Sequence, residues 1–86
     1  FNDIKSIPME IFELSNLQTL NLSVNKIQII PTEIGILFKL KELYLCSNEI
    51  IKIPIEIGKL SNLELLWLID NKIIKIPIEI RIYIVN

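Results

Sequence analysis

The sequence has no histidine, no alanine, one arginine, one cysteine and two glycines. Each shortage removes a class of chemistry. Without histidine, the Cys46 thiol and the Ser23 and Ser47 hydroxyls lack the usual base that activates a nucleophile. A lone cysteine cannot build an intrachain disulfide framework, and it fits a reducing, cytoplasmic setting. Gly35 and Gly58 stand apart, so no phosphate-cradling loop can be read, and no CxxC, HExxH or P-loop pattern occurs. Net charge is −1, which gives no basic face for nucleic acid. No uninterrupted apolar run approaches the roughly 18 to 20 residues that span a bilayer, so no membrane span is expected. There is no signal peptide. The chain opens on Phe1 rather than Met, as a fragment or a processed piece would. The expectation is a protein without enzymatic activity, cofactor or metal.

What is present points elsewhere. The chain has 86 residues, 51% of them apolar and 22% charged, which argues against disorder and allows one domain at most. A compact core of that size would be marginal. Isoleucine alone accounts for 21 positions, the bias that AT-rich codon usage would give.

The sequence falls on itself when shifted by 23 residues. Pro8, Pro31, Pro54 and Pro77 coincide, as do Glu10, Glu33, Glu56 and Glu79. Ile4, Ile27, Ile50 and Ile73 form another column, and Leu20, Leu43 and Leu66 another. Asn25, Asn48 and Asn71 recur at one phase, with Asn2 before them. A fixed period of this size is the mark of a solenoid, whose units bury their apolar edges only by stacking. The organisation read from it is one array over 1–86, with a partial repeat 1–16 and repeats 17–39, 40–62 and 63–85.

Within each unit the periodicity changes. Thr19 to Ser23 alternates apolar and polar residues, and so do Glu42 to Cys46 and Leu65 to Ile69. These read as short strands with one buried face. A proline then suits the first position of a helical turn, and too few residues follow for more than a 3₁₀ or very short α-turn. Equivalent strands must run parallel, because each unit makes one circuit. Strands pair at about 4.8 Å, and the bulkier turns opposite need more room, so the stack curves with its strands inside.

The three asparagines sit where each strand ends and the chain turns inward. Bent, buried backbone there has polar groups without ladder partners. A primary amide supplies a donor and an acceptor together. Asn25, Asn48 and Asn71 are therefore read as a structural ladder beneath the strands.

The units LQTLNLSVNKIQIIPTEIGILFK, LKELYLCSNEIIKIPIEIGKLSN and LELLWLIDNKIIKIPIEIRIYIV match L-x-x-L-x-L-x-x-N-x-L, with isoleucine in the last position. The chain resembles the leucine-rich repeat proteins over essentially its whole length. Its I-P-x-E-I-G-x-L tail is similar to that of the intracellular Ras-group and Scribble-type repeats. The resemblance implies an α/β fold: a curved solenoid with short parallel strands on the concave face and 3₁₀ or short helical turns on the convex face. It also implies binding of a protein partner on the concave face. The last unit departs from the pattern, with Arg81 replacing the glycine and Tyr83 the leucine. The stack lacks the Cys-rich caps of secreted members, so end-to-end self-association is the alternative expectation, as is a repeat segment of a larger signalling protein or enzyme.

Outward strand positions vary between repeats while inward ones do not. Thr19, Glu42 and Leu65 form one row, Asn21, Tyr44 and Trp67 the next, then Ser23, Cys46 and Ile69. Val24, Ser47 and Asp70 follow just past the strands. Tyr44 and Trp67 should be adjacent on the concave face, with Leu65 and Ile69 beside them and Glu42 and Asp70 as a polar rim facing solvent. Large amphipathic aromatics are the usual interface anchors. The partner-binding set is therefore Tyr44, Trp67, Glu42, Leu65, Ile69, Asp70, Asn21 and Cys46, with Cys46 as a small filler. Asp3, Lys26, Glu49 and Lys72 alternate in sign, which allows charge pairs between neighbouring repeats. Ile51, Ile74 and Ile55 occupy lateral and convex positions that most repeats keep polar. Either another surface covers them or the protein tolerates exposed isoleucine.

Overall fold

The computed structural model describes residues 3–77, 80 and 84–85. Pro8, Pro31 and Pro54 set the corners of the coil. All three are extended, with φ of −60°, −64° and −73°. Their carbonyls accept the N–H groups of Ile11, Ile34 and Ile57 at 3.1 to 3.2 Å. Those bonds open the 3₁₀ helices Met9–Glu13, Thr32–Ile36 and Ile55–Lys59. The proline thus stands just outside the helix and not at its first position. The first turn uses its carbonyl, so its missing N–H costs nothing. Glu10, Glu33 and Glu56 lie in the first turns, at the end that favours negative charge.

Among the described residues, four parallel strands form one sheet in chain order: β1 (Thr19–Asn21), β2 (Glu42–Tyr44), β3 (Leu65–Trp67) and β4 (Ile84–Val85). The repeat period sets the register, so that Leu20 pairs with Leu43 and Leu43 with Leu66. The first three strands are each three residues long, shorter than the five-residue alternation suggests. Hydrogen bonding continues past them, from Leu22 N–H to Tyr44 O at 2.8 Å and from Leu45 N–H to Trp67 O at 2.9 Å. The chain is by then turning inward, and regular pairing ends. The fourth strand departs from the three-strand reading. Leu66 faces Ile84, 18 residues on rather than 23. The sequence from Ile80 to Ile84 alternates isoleucine with other residues and Val85 follows, a composition suited to adding a strand beside the edge of β3.

The core is built of columns one period apart. Ile27 and Ile50, Ile34 and Ile57, Leu37 and Leu60, and Leu43 and Leu66 are all fully buried. Burying each such side chain is worth about 1.5–3 kcal/mol, and it requires the neighbouring coil. The strands line the concave side of a curved solenoid and the 3₁₀ helices its convex side.

Gly35 lets adjacent helical turns approach. A Cβ at this position would lie 3.1 Å from the Glu56 carbonyl oxygen and 3.3 Å from Lys59 Cδ. Among the described residues, the charge column holds one ion pair, Lys26 Nζ to Asp3 at 3.4 Å. Expected pairs of Glu49 with Lys26 and Lys72 do not close. Long exposed side chains gain little by meeting in water.

Candidate interaction surface

The amides under the strands fix the geometry of the inner wall. Asn48 Nδ2 donates to Leu22 O at 3.0 Å, Leu45 O at 3.1 Å and Cys46 O at 3.3 Å. Its Oδ1 accepts the Ile27 N–H at 3.1 Å. Asn25 Oδ1 takes the Ile4 N–H, and Asn71 Oδ1 takes the Ile50 N–H. Asn71 Nδ2 also reaches back to Leu45 O at 2.9 Å. Each amide therefore ties its own turn to the preceding coil. Among the described residues, no buried side-chain polar atom lacks a partner.

The residue before each amide has positive φ: Val24 at 61°, Ser47 at 57° and Asp70 at 63°. This left-handed step turns the chain inward from the strand. It is unfavourable for any residue with a Cβ and most so for a β-branched one.

On the concave face, register sets Asn21, Tyr44 and Trp67 side by side. The Tyr44 and Trp67 rings meet edge-to-face, with centroids 5.5 Å apart and planes at 81°. Tyr44 is half-buried and Trp67 is 38% exposed. Leu65, half-buried, lies across from Glu42, and Ile69 is exposed just beyond Trp67. Glu42 is only partly open to solvent. It is half-buried, and Thr19 Oγ1 donates to its Oε1 at 3.2 Å. The Tyr44 phenol is pushed above its ordinary value, by desolvation first and then by the charge and hydrogen bonding of Glu42.

Asn21 and Cys46 are partly committed to the scaffold. Asn21 Oδ1 accepts the Ser23 N–H at 3.0 Å, and the Cys46 N–H donates to Ser23 Oγ at 3.0 Å. The Cys46 thiol is free and half-buried. Asp70 is exposed, but it sits on the left-handed turn past the strand, away from the row that holds the two rings.

A second feature lies on the flank between the amide turns and the 3₁₀ helices. A groove of about 1030 Å³ runs along the stack, floored by Ile30, Ile53, Pro31 and Pro54. Ile29, Lys52 and Lys75 line it, as do Ile55 and Glu56. Ile29 is 71% exposed and Ile55 60%. The lateral isoleucines Ile51 and Ile74 are conspicuous in the sequence, but Ile29 is not. Its signal is nevertheless there, since the same column holds Ser6, Lys52 and Lys75. The extended segments around Lys52 and Lys75 pair as an isolated parallel bridge, with Ile74 N–H donating to Ile51 O at 2.9 Å.

Among the described residues, no group of three or more metal-ligating side chains comes together. Nor is any helix among them long and apolar enough to cross a membrane.

The Leucine Rich Repeat family model matches residues 16–37 and 39–60, which is just over half of the chain. A solved leucine-rich repeat protein of Leptospira interrogans is 46% identical over 84% of this chain and superposes with a TM-score of 0.80. The chain belongs to the leucine-rich repeat family. It spans 18% of the length of the Leptospira protein. No curated protein matches it. Leucine-rich repeats generally mediate protein–protein interaction.

Proposed function

We propose that this array of leucine-rich repeats is a protein-recognition module whose partner packs on the concave strand face, with Trp67 and Tyr44 as anchors. The observation that carries the reading is the edge-to-face pair at 5.5 Å on the outward side of the sheet. Each ring holds the other in place, so little side-chain entropy remains to be lost on binding. Leu65 and Ile69 extend the apolar area around Trp67, and Glu42 supplies a polar margin. The neighbouring coils fix these positions, so the surface is pre-organised.

Affinity capture with the 86-residue chain, followed by titration of each captured protein, tests this. Trp67 is the only tryptophan, so its fluorescence reports occupancy of the face directly. Replacing Tyr44 and Trp67 with alanine should weaken binding by about 2 kcal/mol or more while the fold persists. Undiminished binding by the double variant would remove this face from consideration.

A further inference from the structure

The flank groove is not part of the concave surface, and its chemistry is self-complementary. Of its lining residues, Lys52 and Lys75 lie on the paired extended segments, before Ile53 and Pro54 in the coil, and Ile55 and Glu56 open the 3₁₀ helix on the other side of them. Between them the floor is apolar. Ile29, Ile51 and Ile55, which line it, are 71%, 45% and 60% exposed. A contiguous apolar strip of this kind marks a contact surface. Among the described residues, neither Lys52 nor Glu56 is held in an ion pair within the chain.

We infer that the groove is a docking site for a second copy of this chain, giving a dimer with its twofold axis along the groove. Charge placement selects this occupant. Rotation about an axis parallel to the groove brings the lysine side of each copy against the glutamate side of the other. It also keeps repeats at the same level, so Lys52 meets the partner's Glu56 and the reciprocal pair forms at the same time. The isoleucine strips then cover one another. An axis across the groove would set lysine against lysine. An isologous contact of this sort is satisfied by one patch used twice, and it closes at two copies.

Sedimentation of the 86-residue chain from low micromolar to millimolar concentration tests this, together with charge-swap variants. The parent chain should form a concentration-dependent dimer and no larger species. Lys52→Glu alone and Glu56→Lys alone should each weaken that dimer at least about tenfold, because both of its pairs become repulsive. An equimolar mixture of the two variants should restore it as a heterodimer, since every pair is again opposite in sign. Ile55→Ser, at an exposed position, should weaken the dimer without lowering the melting temperature. Replacing Tyr44 and Trp67 with alanine should leave it intact. A chain that stays monomeric throughout, a dimer indifferent to the single swaps, a mixture that associates no better than its components, or open-ended stacking would each overturn the inference.

Discussion

Asn48 Oδ1 accepts the Ile27 N–H from the preceding coil, while its Nδ2 donates both to that coil at Leu22 O and to its own at Leu45 O. One buried amide thus closes two turns of backbone. Asn25 and Asn71 each make one bond fewer in that set, four for Asn48 against three. Asn48→Ala should destabilise the fold by about 3 kcal/mol, because each buried group left without a partner costs about 1–3 kcal/mol. Asn25→Ala and Asn71→Ala should cost less. Urea unfolding of the three variants measures the ranking. An Asn48→Ala loss no larger than the other two would mean that water replaces the amide in the turn.

Val24 is a β-branched residue in the left-handed region, at φ 61°. Its side chain is partly exposed and contributes little core area. Val24→Asn keeps the turn and relieves the steric conflict, so the variant should be more stable by about 1 kcal/mol. Ser47→Asn, at φ 57°, should gain less, because serine has a single γ atom to crowd. A higher melting temperature for Val24→Asn than for the parent chain checks the sign.

The Gly35 position depends on close approach rather than on a special φ. Its added Cβ would press on the Glu56 carbonyl, which is backbone and cannot swing aside. Gly35→Ala should therefore cost about 1–2 kcal/mol despite the better helix propensity of alanine. Thermal unfolding gives the answer, and a neutral or stabilising effect would mean that the helical turns slide apart freely.

Features that recur at the period are legible in the amino-acid sequence. The inward columns, the strand centres and the parallel register all follow from repetition of 23 residues. So does the juxtaposition of Tyr44 and Trp67, which needs only the register. What is not legible there lacks a repeating chemical mark. The left-handed step is occupied by valine, serine and aspartate in turn, never by glycine, so composition gives no sign of it. The fourth strand lies where the repeat fails, and its 18-residue offset has no precedent in the chain. Proline reads as a helix start, but whether it stands inside or outside depends on which of its groups the first bond uses. The flank groove is a relation between columns of neighbouring coils, and Ile29 stands out only once Lys52 and Lys75 are seen beside it.

The Tyr44 phenol provides a pH test of the concave face. Desolvation, then the charge of Glu42 and its hydrogen bond, hold its pKa above the ordinary value of 10.0. The folded chain therefore binds this proton more tightly than the unfolded chain does. The associated stability is fully present below the unfolded pKa and disappears as pH rises through the raised folded value. Stability should fall on the alkaline side of pH ~10, and Tyr44→Phe should flatten that part of the profile. In a Tyr83→Phe background Tyr44 is the only tyrosine, so phenolate absorbance reports it alone. Glu42→Gln should lower the midpoint, but not back to the ordinary value, because desolvation is the larger cause and remains. If Tyr44 titrates at its ordinary value with Glu42 intact, the phenol is fully hydrated. Its ring would then not be the pre-organised anchor that the proposed binding on the concave face requires.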